Sequence, residues 1–173
     1  GDVLLVSGTI GDHGVAIMSH RQGLGFETAI VSDSAPLNGL VAAMLAVVPG
    51  IRVLRDPTRG GVAATLNEIA QQSGVGILLE EDALPLNEQV RGACELLGLD
   101  PLNVANEGKL LAICAADEAP RLLDAMRAHR HGRDAAIIGR VVEDSHRFVA
   151  MNTSFGGRRM VDWLTGEQLP RIC

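Results

Sequence analysis

Short apolar runs that alternate with helical stretches are the feature that most constrains how this chain can fold. Six runs are predicted to be β-strands, at 3–6, 51–54, 75–79, 110–115, 135–142 and 148–151. Helices are predicted between most of them, at 14–22, 36–47, 60–72, 87–97 and 117–131. This alternation favours an α/β or α+β fold in which a β-sheet is covered by helices.

Composition narrows the class of protein. The chain has 173 residues, of which 47% are hydrophobic and only 2% aromatic, so we expect one compact domain with an aliphatic core. Its formal net charge of -6 argues against nucleic-acid binding, which needs concentrated positive charge. No apolar stretch approaches the ~20 residues that cross a bilayer, and no basic-then-apolar signal opens the chain. A cytoplasmic protein without a membrane partner is therefore expected.

The two ends of the chain differ in character. The chain starts at Gly1, and residues 2–7 already have the pattern of a strand, which predicts a cut at an interdomain junction. After a turn at 155–157 the periodicity is lost, so residues 1–161 are predicted to form the domain and 162–173 a flexible tail. Ten extended residues beyond Trp163 reach about 33 Å, twice the radius of gyration of about 16 Å expected for the domain.

Three cysteines are expected to be free thiols, because they form no CxxC pair and there is no secretory signal. Cys94 has the spacing of a buried helix face, and Cys114 alternates with apolar residues in a strand. Both are interpreted as small buried hydrophobes. Cys173 is the last residue of the predicted tail and is chemically accessible. It is our candidate reactive group, and an accidental surface thiol is the alternative.

The segment 55–61, Arg-Asp-Pro-Thr-Arg-Gly-Gly, follows a predicted strand and opens a predicted helix. Unpaired amides at a helix N-terminus bind anions, Gly60 and Gly61 permit close backbone approach, and Arg59 can bond phosphate oxygens. Asp56 is a candidate helix cap or a group that positions a metal-bound phosphate. An ordinary capped helix that begins near Pro57 is the alternative.

Two further segments contain polar groups at strand ends. The turn 7–14, Ser-Gly-Thr-Ile-Gly-Asp-His-Gly, does not fit the dinucleotide or P-loop glycine spacing. Within it His13 is a candidate proton carrier, with a local polar contact as the alternative. In the segment 106–109, Asn-Glu-Gly-Lys, Glu107 can act as a general base if the site removes it from water. A surface ion pair or turn, next to the chain's only lysine, is the alternative.

Together SGTIGDHG, DPTRGG, ANEG and the terminal PRIC resemble the HypE hydrogenase maturation family of the aminoimidazole-ribonucleotide-synthetase-like (PurM-like) superfamily. The resemblance runs from Gly1 to Cys173 and corresponds to the C-terminal half of that family, so the N-terminal nucleotide-binding domain is absent from this chain. The first two motifs have relatives elsewhere in the superfamily, whereas the PRIC ending is specific. The fold it implies is a PurM-like C-terminal domain with a mixed sheet and helices on one side.

The resemblance also implies a reaction. Cys173 would receive a carbamoyl group from the carbamoyltransferase HypF, and ATP-dependent dehydration would convert it to an S-bound cyano group (a thiocyanate) for the iron of [NiFe] hydrogenase. HypC and HypD would act downstream. Glu107 is the leading candidate for proton removal and His13 a weaker one.

The resemblance assigns the nucleotide mainly to the missing half. Five residues of this chain would form the cleft wall that faces the phosphates, namely Asp56, Thr58, Arg59, Gly60 and Gly61. ATP and Mg²⁺ would be bound mostly by the N-terminal domain, with no metal ligand in this chain. The fragment alone is expected to be inactive and possibly monomeric, in contrast to a homodimeric full-length protein.

Two other functions remain open at this stage. One is another member of the superfamily, such as a thiamine-monophosphate kinase or a selenophosphate synthetase, neither of which needs a C-terminal cysteine. The other is a non-catalytic module whose tail docks on a partner.

Overall fold

A computed structural model describes residues 1–22 and 30–163. In this part of the chain seven strands form one sheet, in the order β2-β4-β1-β5-β3-β6-β7. The strands are β1 Val3–Val6, β2 Val53–Arg55, β3 Gly76–Glu80, β4 Leu111–Cys114, β5 Ala136–Val142, β6 Val149–Asn152 and β7 Arg158–Met160. The helices are α1 Asp12–Gln22, α2 Asn38–Val47, α3 Gly61–Ser73, α4 Glu88–Leu97 and α5 Ala119–Ala128, and single 3-10 turns lie at Glu81–Ala83 and Pro101–Asn103.

The sheet is mixed, as predicted. Strands β3 and β6 pair in parallel, and every other neighbouring pair is antiparallel. All six predicted strands are present within two residues of their expected ends, but β7 was not predicted. Its sequence is Arg-Arg-Met, which lacks the apolar alternation of a strand, and it joins the sheet by pairing with β6.

Helices cover both faces of the sheet, so the expectation of helices on one side is wrong. Alternate residues of one strand point to opposite faces. Leu4 of β1 packs with α3 in one buried cluster, whereas Leu5 packs with α2 and α5 in another. Because β1 and its neighbours are apolar on both faces, each face needs its own helical layer.

The last helix is shorter than predicted. Helix α5 ends at Ala128, where His129 adopts an extended backbone conformation, and not at 131. The Arg127 Nε donates a hydrogen bond of 2.9 Å to the Ala135 carbonyl, so this arginine ties the end of the helix to the start of β5. Residues 127–133, which contain three arginines and two histidines, thus form the helix end and the turn that follows it.

Cys94 and Cys114 are buried, as predicted, and each belongs to an apolar cluster. Among the described residues, no helix is both long enough and apolar enough to cross a membrane. Most of the predicted tail, including Cys173, lies outside the described residues. Its first two residues, Asp162 and Trp163, are exposed.

Candidate functional site

Three of the predicted motifs meet at one end of the sheet because of the strand pairing. Val6, the last residue of β1, pairs with Leu111 at the start of β4, and Arg55, the last residue of β2, pairs with the same leucine. The loops 7–14, 56–61 and 106–110 therefore leave or enter adjacent strands at a common edge. The Ser7 N–H donates a hydrogen bond of 3.0 Å to the Leu110 carbonyl, and the Ser7 Oγ accepts one of 3.0 Å from the Leu110 N–H.

Asn106 joins these three loops. Its side chain is 2% exposed, and its Oδ1 accepts a hydrogen bond of 2.8 Å from the Gly11 amide. Its Nδ2 donates to the carbonyls of Val104 (2.9 Å) and Pro57 (3.4 Å), and its own backbone N–H donates to Pro57 (3.2 Å). A buried amide with both ends bonded holds its surroundings rigidly. Asn106 belongs to the motif 106–109, but no sequence pattern predicts this anchoring role.

Glu107 follows this anchor and is half-buried. It makes no ion pair with any residue that the structure describes, so the alternative of a surface ion pair is wrong, whereas the alternative of a turn agrees with the bend at residues 107–108. Lys109 instead pairs with Asp33, and its side chain is only 9% exposed. The carboxylate of Glu107 thus has no paired cation among residues 1–22 and 30–163.

Residues 30–37, which we call the strap, pass over these loops without forming a helix or strand. Ser32 Oγ shares a hydrogen bond of 2.8 Å with Nδ1 of His13, so His13 makes a polar contact, but with a residue outside the loop 7–14 and not a local one. The bond brings the first motif together with a segment 19 residues further on. Lys109 and Gly108 contact Asp33 of the same strap.

The segment 55–61 is arranged differently from the predicted capped helix. Gly60 is the N-cap of α3, it has a left-handed conformation (φ 68°), and no side chain caps the helix. Asp56 therefore does not cap α3, and the alternative of an ordinary capped helix is wrong. Arg59 is exposed and makes no ion pair with the described residues, while Thr58 is half-buried. The first amides of α3 thus lie beside a free guanidinium group.

Gly61 allows α3 to begin close to its neighbour. Its φ is 64°, and a Cβ on it would lie 2.4 Å from the Leu102 carbonyl oxygen and 2.6 Å from that of Val104. Only glycine fits such a left-handed, crowded position. The close contact fixes the start of α3 relative to the segment that leads to Asn106.

A second polar contact, between the buried Asp12 and the exposed Asn87, anchors the loop 7–14. Asp12 is 6% exposed, and its Oδ1 accepts a hydrogen bond of 2.5 Å from Nδ2 of Asn87. Asn87 directly precedes α4, so the pair ties the start of α1 to the start of α4. Sequence reasoning missed this pair, because the two residues are 75 positions apart and neither belongs to a periodic pattern.

The described residues contain no group of three or more His, Cys, Asp or Glu side chains that can hold a metal ion. Asp56 is a single exposed carboxylate. These residues do not form a Mg²⁺ site by themselves, so a metal ion here would need ligands from a nucleotide or from another domain.

The two buried thiols are poorly suited to chemistry. Burial, followed by the nearby charges of Asp100 and Glu95, raises the pKa of Cys94 to about 11. Burial also raises the pKa of Cys114, with the charge of Glu118 acting in the same direction. Since the thiolate is the nucleophile, both side chains are inert near neutral pH.

A cavity of about 210 Å³ lies between α4, the 3-10 turn at Pro101–Asn103 and the sheet edge. Its floor is apolar and includes Leu102 and Met151, and its rim includes Arg91 and Arg159. None of the predicted site residues lines it.

Comparison with known proteins shows the family to which this fold belongs. Residues 1–152 match the family model described as AIR synthase related protein, C-terminal domain. The chain belongs to this family. Carbamoyl dehydratase HypE of Azotobacter vinelandii is 71% identical over 173 residues, which is 100% of this chain and 51% of the relative. The predicted resemblance to HypE is therefore confirmed, and the chain spans about half the length of the curated relatives it matches.

Solved structures of HypE have the same fold. A HypE in complex with ATP has a TM-score of 0.94 and 49% identity, covering 100% of this chain and 53% of that chain. HypE in a HypE-HypF complex has a TM-score of 0.91 and 50% identity, covering 94% of this chain and 53% of that chain. A thiamine monophosphate kinase from Aquifex aeolicus shares only the fold, with 22% identity and a TM-score of 0.59. This chain thus resembles HypE far more closely than it resembles this kinase.

Proposed function

We propose that this chain is the C-terminal half of an ATP-dependent carbamoyl dehydratase that makes the cyanide ligands of [NiFe] hydrogenase in the cytoplasm. The observation that carries the proposal is 71% identity, over all 173 residues, to a relative named carbamoyl dehydratase HypE. The meeting of three motifs around Asn106 supports it, because such an edge is suited to form one wall of an active site. Residues 1–161 are the folded domain and 162–173 the tail in this proposal.

Cys173 is the carrier in this reaction. Its sulfur would hold the carbamoyl group as a thiocarbamate. The amide oxygen would attack the terminal phosphate of ATP and release ADP. Loss of the two protons on nitrogen, together with departure of phosphate, would then form the C–N triple bond of the S-bound cyano group. Phosphorylation is needed because an amide oxygen is a poor leaving group.

Glu107 is the proposed general base for the protons on nitrogen. Its carboxylate is half-buried, it has no ion-pair partner among the described residues, and it directly follows the anchored Asn106. A general base must lie within hydrogen-bond reach of the proton that it removes, which a fixed position favours. A carboxylate that has no paired cation can accept this proton without first breaking an ion pair. His13 has a weaker case, since Ser32 already occupies its Nδ1.

The phosphates of ATP are proposed to face the segment 56–61. The free guanidinium of Arg59 and the first amides of α3 are the groups that favour negative charge here. Thr58 and Asp56 flank them, and Gly60 and Gly61 allow close backbone approach. A related HypE was solved in complex with ATP. Most nucleotide contacts and the Mg²⁺ ligands would come from an N-terminal half, so we expect this chain alone to be inactive.

The proposed reaction needs a protein that donates the carbamoyl group and proteins that accept the cyano group. A related HypE was solved in a HypE-HypF complex, which supports HypF as the carbamoyl donor. HypC and HypD are proposed as acceptors of the cyano group. We further propose that the two-domain protein is a homodimer and that the isolated chain is a monomer.

Mass spectrometry of the two-domain protein tests the function directly. After incubation with HypF and its carbamoyl donor, Cys173 should gain the mass of one carbamoyl group, and ATP should then cause the loss of one water. Cys173→Ser is the matched control and should show neither change. Loading without ATP-dependent loss of water would contradict the dehydratase function.

The same variant distinguishes the rival docking function. If the tail only docks on a partner, Cys173→Ser should bind HypF and support hydrogenase maturation as the unmodified protein does. In the carbamoyl-carrier mechanism it should still bind HypF but give no mature hydrogenase.

A further inference from the structure

The Lys109–Asp33 ion pair is the most enclosed one among residues 1–22 and 30–163. Lys109 is 9% exposed at its side chain and Asp33 is 25% exposed. The basic partners of the other ion pairs in these residues are all at least 39% exposed. A buried ammonium group is tolerated only when it is paired, so the location of Asp33 is tightly linked to that of Lys109.

The strap is held against the loop 106–109 by more than this ion pair. Gly108 has a φ of 76°, and a Cβ on it would lie 2.4 Å from the Asp33 carbonyl oxygen and 2.6 Å from the Ala35 nitrogen. The bond between Ser32 and His13 fixes the strap at a second place. An irregular segment with three such contacts has one defined path over the loop.

Glu107 lies between two immobilised neighbours. On one side Asn106 is bound to Gly11 and Pro57. On the other side Gly108 and Lys109 are held by the strap. The stem of Lys109 also packs over Gly8, where a Cβ would lie 2.9 Å from the lysine Cε. The backbone of Glu107 is therefore fixed from both directions, although its own carboxylate has no partner among the described residues.

We propose that Lys109 and Asp33 are positioning residues for Glu107. Their ion pair fixes the strap on the loop 106–109 and thereby sets the direction of the Glu107 carboxylate. This inference rests on the proposed function, in which Glu107 removes protons from the carbamoyl nitrogen. Proton transfer is sensitive to errors of about 1 Å, which can cost about 10²-fold in rate.

The test uses the full two-domain protein in a single-turnover assay of carbamoylated Cys173 with ATP. Asp33→Asn and Lys109→Met should each slow dehydration by about 10-fold to 100-fold. The rate of loading by HypF and the KM for ATP should stay within about twofold of the values for the unmodified protein. In the proposed mechanism the ion pair contacts neither the thiol that HypF loads nor the nucleotide. Asp33→Glu keeps the charge but changes the length, and it should also slow dehydration.

The double variant Asp33→Asn/Lys109→Met separates positioning from stability. It contains no unpaired buried charge, so its Tm should exceed that of Lys109→Met, while dehydration should remain slow. Recovery of the dehydration rate along with the Tm would show that the pair only stabilises the fold and would overturn the inference. The inference would also be overturned if the single variants dehydrated the carbamoyl group at the rate of the unmodified protein.

Two controls complete the experiment. Glu80→Gln/Arg140→Met removes an exposed ion pair on β3 and β5, with a separation of 3.3 Å, and should dehydrate normally. The unmodified protein must dehydrate its carbamoyl group in the same assay. Its failure would overturn the proposed function and this inference with it, whereas normal rates in the Asp33 and Lys109 variants would overturn the inference alone.

Discussion

The Oδ1 of Asn106 accepts a hydrogen bond of 2.8 Å from the Gly11 amide, across 95 positions of the chain. This bond is buried and joins the loop that precedes β4 to the loop that follows β1. Together with the hydrogen bond of 3.1 Å from the Gly14 N–H to the Ala105 carbonyl, it holds the segment that leads to Glu107 at a fixed separation from the loop 7–14. The candidate site thus depends on an amide side chain that takes no part in the proposed chemistry.

Asn106→Ala should lower the free energy of unfolding by about 1–3 kcal/mol. The substitution leaves the buried Gly11 amide and the Pro57 carbonyl without the side-chain partner. Urea unfolding of the isolated chain measures the effect. Asn38→Ala is the matched control, because Asn38 is exposed at the start of α2, and it should change stability by less than about 0.5 kcal/mol. Equal effects of both changes would contradict the role assigned to Asn106.

Glycine substitutions at the two ends of α3 should differ in cost. Gly61 and Gly74 have nearly the same φ, 64° and 67°, but a Cβ meets the Leu102 and Val104 carbonyl oxygens at Gly61 and nothing within 4 Å at Gly74. Gly74→Ala should cost about 1–2 kcal/mol for the left-handed conformation alone. Gly61→Ala should cost about 3 kcal/mol or more because overpacking is added. Similar unfolding midpoints for the two variants would show that α3 is not held closely against residues 102–104.

Stability should fall between about pH 9 and pH 11 because of Cys94. Its pKa is raised from 9.0 to about 11 in the folded protein, so the unfolded chain loses this proton first as pH rises. Deprotonation therefore favours the unfolded state across this interval. Unfolding free energies at pH 8 and pH 10.5 should differ less in Cys94→Ala than in the unmodified protein. An unchanged pH dependence in the variant would exclude Cys94 as a cause.

Glu107→Gln tests the proposed general base. In the two-domain protein it should leave carbamoylation of Cys173 intact and slow dehydration by about 10²-fold to 10⁴-fold, because the amide cannot accept the proton. The measurement is the ATP-dependent loss of water from Cys173 followed by mass spectrometry. Glu143→Gln is the matched control, since Glu143 is exposed beyond the other end of β5, and it should react normally. A normal rate in Glu107→Gln would remove this residue from the mechanism.

Residues appended after Cys173 test the carrier mechanism. The extended protein keeps the thiol, so it should still accept the carbamoyl group from HypF. It should dehydrate that group slowly, because extra polar chain must enter the site together with the terminus. Cys173→Ala, in contrast, should abolish loading. Native rates of both steps in the extended protein would contradict insertion of the tail.

The sequence by itself determined the identity of most elements. Six apolar runs became six strands, and the burial of Cys94 and Cys114 followed from their periodicity. The four motifs carried the resemblance to HypE, which the comparisons confirmed. These features are local: each depends on residues within one strand, one helix or one loop, so a single pass along the chain can detect them. The roles of Cys173, Glu107 and the segment 56–61 stay predictions.

Only the tertiary structure decided the rest. Strand β7 exists because β6 pairs with it, and the second helical layer exists because β1 is apolar on both faces. The partner of Lys109 is Asp33, 76 positions away, and not Glu107, which is two positions away. Such pairings depend on the order of strands in the sheet, and the period of a sequence contains no information about that order. The surroundings of Glu107 were therefore fixed by long-range packing.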